Sequence, residues 1–582
     1  MVDTPSPESP ASRLGDVLRL LVEGDPAAAL AVARRLAGPT PQDADAQYWL
    51  ASALAANGQA DAAALAVDNA RLLHAIALMR EMGVDVAAIN RDPQAAVDLA
   101  RLLYGSRLVA LASVALGMAI RNDEQRLEPL LMFALSLQHQ GRAEEAIQLF
   151  RAAAELYPAS EAGQFLLMPH FYVQEGIARH AAEARRWAEQ HAVGAPPPRF
   201  RNPPAAGRKL RVGYVAPSFS QNQLRQFVQP VLESHDRDAF EVFIFPARAE
   251  GEGPWPQPVQ VHAIGGLDDR RAADLIRAQR IDVLIDAWGH TAGSRIGVFA
   301  HRPAPVQAAW LNYQQTTGLP AMDYVLHADS VDGPGMAEAF VETVWRVGPT
   351  SAPFRPDGES PATPAPALRN GYATFGSFNN PAKLSDETVA AWARILRGRP
   401  TARLILKYGY FADPVLRAVT SSRFAAHGLD PARIEFRGHT TGEAYAAEFG
   451  DVDMALDPSP VPGGTTTLEA LSRGVPVLML DGPTFYARTA LQILTGAGLG
   501  ELVAADWDDY VARALDFSAD AGRLQALRER TRAGFAGASY RDEAAVTRDL
   551  EKACRGMFEA WERRAGGASG PAQARSRSAR QK

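Results

Sequence analysis

Apolar residues recur at helical spacing through residues 13–190, a region rich in alanine and leucine. A turn residue recurs within this region every 34 residues, at Gly24, Gly58 and Asp92. The small side chains that stand five positions after these turn residues are Ala29, Ala63 and Val97. Small side chains let two helices approach closely, and a glycine or aspartate fits the turn between them. The pattern therefore predicts a series of antiparallel helix pairs.

A period of 34 residues is that of tetratricopeptide repeats, which stack into a superhelix with a concave face. The clearest unit is residues 129–158, with Gly141, Ala146 and Pro158 at the expected positions. It is out of phase with the earlier units, so we expect an irregular or degenerate unit over residues 105–128. The alternative is an ordinary helical bundle, which the regular period disfavours. The concave face of such repeats usually binds an extended peptide or another protein.

Proline-rich segments mark two boundaries along the chain. Residues 193–209 contain five prolines, too many for a continuous helix, and this stretch is typical of a semi-rigid linker. Beyond it, short apolar runs alternate with helical segments such as 270–280. Strands that alternate with helices predict a parallel sheet with right-handed crossovers. A second proline-rich segment, 348–371, separates two such α/β regions.

Two α/β lobes therefore follow the helical repeats. The predicted strands are 210–216, 240–247, 281–289, 373–378, 402–409, 433–438, 453–458 and 475–480. Ligands of open α/β sheets bind beyond the carboxyl ends of the strands, so we expect the site in the cleft between the lobes. The predicted domains are a tetratricopeptide-like helical repeat domain (13–192), a proline-rich linker (193–209), an N-terminal Rossmann-like lobe (210–350), a C-terminal Rossmann-like lobe (372–562) and a disordered tail (563–582).

Composition and charge exclude several classes of function. The 582 residues carry a formal net charge of -6, so we expect no nucleic-acid partner, which would need a basic face. The single cysteine, Cys554, cannot form an intramolecular disulfide. We find no apolar run of the roughly 18 residues that a membrane span needs. The opening MVDTPSPESP lacks the order of a secretory signal, so we expect a cytoplasmic protein.

The strongest local signal for a binding site is LDPSPVPGGTTTLEALSRGVPVL, residues 456–478. A strand ends at Asp457 and a loop leads to a helix, whose first residues are Thr465, Thr466 and Thr467. Free N–H groups at a helix start favour an anion such as pyrophosphate. Gly463 and Gly464 let a ligand approach the backbone closely, and Glu469 can accept hydrogen bonds from ribose hydroxyls. The alternative is a threonine cap and nothing more.

Two further segments carry candidate side chains. Residues 375–392 run from a strand into a polar loop where Lys383 precedes a helix, and a lysine there can neutralise a diphosphate leaving group. Residues 288–326 hold His290 and His301, which are candidates for proton handling or substrate contact. Each of these residues, taken alone, also has a simpler interpretation. Lys383 would then be a solvated surface lysine, and His290 and His301 would be structural histidines.

Four pieces of the chain resemble, in order and spacing, the protein O-linked N-acetylglucosamine transferases, which include the plant SPINDLY proteins and bacterial homologues. They are RPAPVQ (302–307), TTGLPAMDY (316–324), FNNPAKL (378–384) and GGTTTLEAL (463–471). The resemblance runs from the repeats to about residue 560. It implies a GT-B fold of two Rossmann-like lobes. It also implies transfer of a sugar from a nucleotide donor to Ser or Thr hydroxyls, with inversion and without a metal or other cofactor; one branch of the family glycosylates asparagine instead.

The resemblance also implies roles for individual residues. Lys383 matches the family lysine that contacts the donor diphosphate and is the expected catalytic residue, with His290 as the other candidate. The residues expected to bind the donor are Tyr445 at the base, Gly464, Thr465, Thr466 and Thr467 at the phosphates, Glu469 at the ribose, and Arg488 near the pocket. Gln307 is expected beside the cleft on the acceptor side, together with Asn222.

The chain departs from the family pattern in two segments. The family has S-D-F-x-x-H-P after the first strand of the catalytic domain, and here Ser218 replaces the aspartate and Asn222 the histidine. Asparagine cannot serve as a general base near neutral pH, so the base for the acceptor hydroxyl is not identified. YQQTTG at 313–318 stands where the family tends to have Y-P-G-T, so Gln314 and Gln315 change the acceptor side.

Three functional hypotheses follow from the sequence. The first is a protein glycosyltransferase whose repeats bind a protein acceptor, by analogy a flagellin or surface adhesin. Its donor is UDP-linked or carries GDP or CMP, and Asn222 favours an unusual donor. The second is a scaffold protein that retains nucleotide binding but has impaired catalysis. The third is a transferase with a small-molecule or lipid acceptor, which has little use for a concave protein-binding face.

Overall fold

The computed structural model describes residues 10–122, 126–173, 176–191, 199–220, 224–248, 258–329, 337–358 and 363–567. A helical domain comes first, and two α/β lobes follow, each built on a parallel sheet. The predicted fold class, helical repeats before two Rossmann-like lobes, is confirmed. Asn222 lies outside the described residues, as do residues 192–198 of the predicted linker and 568–582 of the predicted tail.

Consecutive helices of the repeat domain pack against each other along the chain. They are α1 (Pro10–Glu23), α2 (Pro26–Ala37), α3 (Ala44–Ala56), α4 (Ala60–Glu81), α5 (Val86–Ile89), α6 (Pro93–Gly105), α7 (Val109–Asn122), α8 (Leu127–His139), α9 (Ala143–Leu156), α10 (Ala162–Phe165) and α11 (Gly176–His191). The predicted small positions Ala29, Ala63 and Val97 are all buried at these contacts. The 34-residue pattern therefore identified real helix–helix approaches.

The turns between the helices follow the same pattern. Gly24 and Gly58 have left-handed backbone between α1 and α2 and between α3 and α4, and Asp92 caps α6. The described residues between α6 and α8 form one helix, α7, and not a helix pair, so the irregular or degenerate unit expected over residues 105–128 is an incomplete one. Side chains on nearly every face of α7 (VALASVALGMAI) are buried. The sequence therefore lacks the regular alternation of apolar and polar positions that marks a surface helix.

The N-terminal lobe has a seven-stranded sheet in the order β3-β2-β1-β4-β5-β6-β7, and its paired strands are parallel. The strands are β1 (Leu210–Ala216), β2 (Phe240–Pro246), β3 (Val259–Val261), β4 (Val283–Asp286), β5 (Val306–Ala309), β6 (Tyr324–His327) and β7 (Thr343–Arg346). Its helices are α12 (Arg225–Ser234), α13 (Asp269–Ala278) and α14 (Gly297–Ala300).

The C-terminal lobe has a six-stranded parallel sheet in the order β10-β9-β8-β11-β12-β13. The strands are β8 (Thr374–Ser377), β9 (Arg403–Lys407), β10 (Ile434–Arg437), β11 (Met454–Leu456), β12 (Val477–Leu480) and β13 (Val503–Ala504). The helices are α15 (Pro366–Asn370), α16 (Asp386–Gly398), α17 (Pro414–Ala426), α18 (Gly442–Glu448), α19 (Thr465–Ser472), α20 (Phe485–Gly496), α21 (Trp507–Phe517), α22 (Ala521–Gly537) and α23 (Glu543–Gly567).

The last helix, α23, crosses back to the N-terminal lobe. Leu550, Cys554 and Phe558 are fully buried in the core of that lobe, and the helix packs on α12, β4 and β5. The predicted lobe 372–562 therefore needs correction, because α23 belongs by packing to the other lobe. The predicted tail from residue 563 also begins too early, since α23 continues to Gly567.

Helix α4 is long and apolar on average, although Asp68, Asn69 and Arg71 interrupt any continuous apolar run in it. Among the described residues it is the one helix long and apolar enough, by length and composition, to cross a bilayer. It packs against α3, α7 and α17, and its buried residues are Ala63, Ala66, Ala70, Ala75 and Met79, whereas Leu65 and Leu72 are exposed.

The repeat domain is fastened to the C-terminal lobe by a buried carboxylate. Asp413 Oδ2 accepts from the N–H groups of Ala110, at 2.7 Å, and Leu111, at 3.2 Å. Asp413 Oδ1 accepts from the N–H groups of Val415, at 2.9 Å, and Leu416, at 3.3 Å. One aspartate therefore caps both α7 and α17, and it fixes the first helix against the second.

Candidate active site

The turn that carries Lys383 and the start of α19 lie side by side beyond the ends of β8 and β11. Lys383 Nζ donates to the carbonyl oxygen of Pro462 at 2.8 Å and to Asn379 Oδ1 at 3.1 Å. Thr466 Oγ1 donates to the same Asn379 oxygen at 3.3 Å. The structure therefore brings together the lysine and the helix start that the sequence predicted to bind one diphosphate.

Asp457 holds this arrangement from the buried side. Its carboxylate accepts from Thr467 Oγ1 at 2.8 Å and from Asn379 Nδ2 at 3.1 Å. Burial raises the pKa of Asp457, while the hydrogen bond from Thr467 and the charge of Lys383 oppose that shift. The carboxylate fixes the Asn379 amide, and the amide in turn orients the Lys383 ammonium.

The Lys383 ammonium is poised for an anion. Burial lowers the pKa of Lys383 to about 8, and the carboxylate of Asp457 acts in the opposite direction. In the free protein the amine is therefore charged below about pH 8 and loses its proton above that value. A diphosphate bound beside it would favour the charged form and raise the pKa again.

Helix α19 begins without a side-chain cap. Gly464 is its N-cap residue, so the alternative interpretation of a threonine cap is wrong. The first N–H groups of the helix consequently have no side-chain acceptor at the cap, and they can bind an anion. A Cβ at Gly463 would overlap the hydroxyl groups of Thr466 and Thr467, so this position has a steric need for glycine.

A cavity of about 600 Å³ opens beside the helix start, and we call it the donor cavity. Its lining includes Thr465, Thr466, Tyr445 and Glu469 from the predicted donor set. Tyr445 Oη donates to Glu469 Oε2 at 2.7 Å. Burial raises the pKa of Glu469, and the Tyr445 hydrogen bond opposes that shift. Within the described ranges, no group of three His, Cys, Asp or Glu side chains could hold a metal ion.

Gln307 and His290 lie inside the N-terminal lobe and not on the wall of the donor cavity. Gln307 is buried in β5, where its Nε2 donates to the carbonyl oxygens of Phe299 at 3.0 Å and Ala321 at 2.8 Å. His290 is fully buried, and its Nε2 lies 2.8 Å from the carbonyl oxygen of Thr317. Burial lowers the pKa of His290 to about 4, so the ring is neutral near pH 7.

Arg488 lies away from the Lys383 network. It is in α20, and its Nη1 is 3.3 Å from Asp481 Oδ1. Asp481 lines a second cavity, of about 750 Å³, between the two lobes and the end of the repeat domain. Gln315, one of the two departures in YQQTTG, lines the same second cavity. Arg488 is therefore next to this space, and it is not among the residues that line the donor cavity, near which it was predicted.

Three polar residues at or just beyond the ends of strands were not among the predicted site residues. Asn379 lies in the motif FNNPAKL and Asp457 just before the motif GGTTTLEAL, yet their mutual contact depends on the pairing of β8 with β11. Asp286, at the end of β4, is buried and accepts from the N–H groups of Trp288 at 3.1 Å and Gly289 at 3.0 Å. Burial raises the pKa of Asp286 to about 7. The available signal was similar in each case, a polar side chain at the carboxyl end of an apolar strand or just beyond it.

Known proteins match this chain over most of its catalytic region. Residues 173–346 and 366–541 match the family described as glycosyl transferase family 41. The rice protein described as a probable UDP-N-acetylglucosamine–peptide N-acetylglucosaminyltransferase SPINDLY is 33% identical over 71% of this chain and 46% of its own length. The Arabidopsis thaliana protein SEC, described by the same activity, is 25% identical over 61% of this chain and 37% of its own length.

A solved structure extends the likeness to the helical domain. The O-GlcNAc transferase of Thermobaculum terrenum, solved as a mutant, is 27% identical and superposes with a TM-score of 0.73, over 96% of this chain and all of that one. The chain nevertheless spans about half the length of the curated relatives it matches. These matches agree with the motifs and with the two-lobed fold. The chain therefore belongs to glycosyl transferase family 41, together with the SPINDLY and O-GlcNAc transferase proteins that its motifs resemble.

Proposed function

We propose that this chain transfers a sugar from a nucleotide-sugar donor to Ser or Thr hydroxyls of proteins. The observation that carries the proposal is the Asn379 amide oxygen, which accepts hydrogen bonds from both Lys383 and the first turn of α19. A lysine and a helix start that meet beside a large cavity can bind one diphosphate. A UDP-linked sugar is the first donor to test, because the SPINDLY and SEC relatives carry that donor in their names.

In the proposed reaction the diphosphate lies at the start of α19 and the nucleoside occupies the donor cavity. The acceptor oxygen attacks the anomeric carbon from the face opposite the diphosphate, so one C–O bond forms as the other breaks and the configuration inverts. The acceptor proton leaves to solvent or a base. The Lys383 ammonium and the helix N–H groups stabilise the negative charge on the departing diphosphate, without a metal ion. This electrostatic effect carries most of the catalysis.

The remaining parts of the proposal concern the nucleoside and the acceptor. Glu469, held by Tyr445, accepts hydrogen bonds from the ribose hydroxyls. The repeats bind the protein acceptor, and a flagellin or surface adhesin is the acceptor class that we propose to test first. We propose the cytoplasm as the site of reaction; the sole cysteine, Cys554, is free and buried, so the chain depends on no disulfide of its own.

The proposal is tested by a donor screen followed by mass analysis of acceptors. Thermal shift with UDP-, GDP- and CMP-linked sugars identifies the stabilising donor, since a ligand that binds only the folded state raises Tm. Candidate acceptors are then co-expressed with the wild-type protein or with no transferase, and their intact masses are compared. We expect a mass increase of one or more sugar residues only with the transferase. Stabilisation by a donor without any transfer would favour the scaffold hypothesis, for which the missing family histidine is the motivating observation.

The charge of Lys383 predicts an alkaline limit on activity. Since burial lowers the pKa of Lys383 to about 8, we expect kcat/KM for transfer to fall as the pH rises through about 8. Because a bound diphosphate favours the charged lysine and raises its pKa, the corresponding fall in kcat is expected at higher pH. Initial rates over a range of about pH 6 to 10 measure both limits. A kcat/KM that stays constant to the top of that range would contradict a role for the Lys383 charge.

A further inference from the structure

Three helix turns of the repeat domain have a glycine with left-handed backbone at the same position. Gly24, Gly58 and Gly141 each lie two positions before a helix, α2, α4 and α9, with φ of +82°, +72° and +81°. Their N–H groups donate to carbonyl oxygens three residues back. Glycine suits this position because it has no Cβ to oppose left-handed backbone.

Arg107 occupies the equivalent position in the turn before α7. Its φ is +67°, its N–H donates to the carbonyl oxygen of Tyr104 at 2.9 Å, and Leu108 N donates to that of Leu103 at 2.9 Å. The turn geometry is therefore that of the glycine turns, but the residue is an arginine. Left-handed backbone is uncommon in residues other than glycine, and strained backbone is concentrated at functional sites.

The Arg107 side chain reaches the C-terminal lobe and lines the donor cavity, together with Tyr104. The guanidinium lies directly on Gly409, where a Cβ would overlap Arg107 Nη1. Arg107 is half-buried, and in the described part of the chain it has no carboxylate within salt-bridge distance. Lys407, the neighbouring cation of the cavity, already pairs with Glu448 at 2.8 Å. The cavity therefore presents an arginine whose hydrogen-bond donors are available to a ligand.

The position of Arg107 relative to the phosphate site fits a nucleoside. Gly409 lies just beyond the end of β9, and Thr465 opens α19 after the loop that follows β11. Arg107, Gly409, Thr465 and Thr466 line the same cavity. One nucleotide in this cavity can therefore place its diphosphate at the helix start and its base at the arginine.

Building on the proposed function, we propose that Arg107 is a donor-binding residue contributed by the repeat domain. Its guanidinium donates to the carbonyl or ring-nitrogen acceptors of the base, while the diphosphate lies at Lys383 and α19. The repeats thereby complete the nucleotide site and take part in selecting the base. Asp413, which caps α7 directly after Arg107, holds the arginine in place over the cavity.

The test replaces Arg107 by the glycine that the other turns carry. UDP, GDP and inorganic pyrophosphate are titrated separately into the wild-type chain and the Arg107→Gly variant by isothermal calorimetry. We expect the affinity for the tighter-binding nucleotide to fall at least tenfold, the affinity for pyrophosphate to stay unchanged, and Tm to stay equal or rise. Arg101→Ala on the exposed side of α6 is the matched control and should bind like the wild type.

Two outcomes would overturn the inference while leaving the proposed function in place. One is equal nucleotide affinity in the wild type and Arg107→Gly. The other is an equal loss of affinity for the nucleotide and for pyrophosphate, which would mean that the arginine binds the phosphates and not the base. Wild-type chain that binds neither UDP nor GDP would overturn this inference and would also count against a UDP- or GDP-linked donor in the proposed function. Arg107→Lys, which keeps the charge but not the planar fork, should recover only part of the lost affinity.

Discussion

Lys383→Ala is expected to lower kcat for sugar transfer by at least about 100-fold, equivalent to about 2.7 kcal/mol of transition-state stabilisation. Asn379 and the carbonyl oxygen of Pro462 hold the ammonium, and in the proposed reaction it lies where charge develops on the leaving diphosphate. Truncation removes that charge, and its effect is larger in the transition state than in the donor complex. Donor affinity should therefore fall much less than kcat. Initial rates of acceptor glycosylation and nucleotide titrations measure the two quantities.

The fold should survive this change. Asp457 keeps the hydrogen bonds from Thr467 and Asn379 when the lysine is truncated, so the network below the site retains its partners. Lys552→Ala is the matched control, because Lys552 is exposed on α23 and remote in sequence from the site. Unchanged Tm in both variants, with lost transfer only in Lys383→Ala, is the expected pattern. Full transfer by Lys383→Ala would contradict the assignment of the site.

Local patterns in the sequence predicted much of the fold. The predicted strand 210–216 coincides with β1, because an apolar run of 7 residues is of strand length and too short for a typical helix. Gly24 and Gly58 marked helix turns, since only glycine takes left-handed backbone without strain. The lysine and the helix start of the site were also visible, as each lies in a short motif next to a strand.

Contacts between distant parts of the chain were not predictable in the same way. The hydrogen bond between Asn379 and Asp457 depends on which strands are neighbours in the sheet, which no local pattern encodes. Helix α23 has an amphipathic pattern that suits either lobe, and only the structure identifies the one it covers. The turn at Arg107 was not predictable from the sequence, because an arginine stands where a glycine would have indicated left-handed backbone.

Asp413→Ala is expected to destabilise the chain by about 2–4 kcal/mol, because it removes the caps of two helices at once and each cap contributes about 1–2 kcal/mol. The residue is fully buried, so water cannot replace the lost acceptor for the N–H groups of α7 and α17. Burial raises the pKa of Asp413, and the four N–H donors oppose that shift. Thermal unfolding followed by circular dichroism should record a lower Tm than in the wild type.

A single-cap control separates the double role of Asp413 from ordinary capping. Asp25 caps α2 alone, through one exposed hydrogen bond of 2.9 Å to Ala28 N, so Asp25→Ala should cost only about 1 kcal/mol. Asp413→Asn keeps one oxygen acceptor, so its Tm should lie between the Tm of Asp413→Ala and that of the wild type. Since the carboxylate also positions the turn before α7, Asp413→Ala should weaken nucleotide binding in the folded protein, whereas Asp25→Ala should not. Equal Tm values for Asp413→Ala and Asp25→Ala would mean that the joint between the repeats and the C-terminal lobe does not depend on this carboxylate.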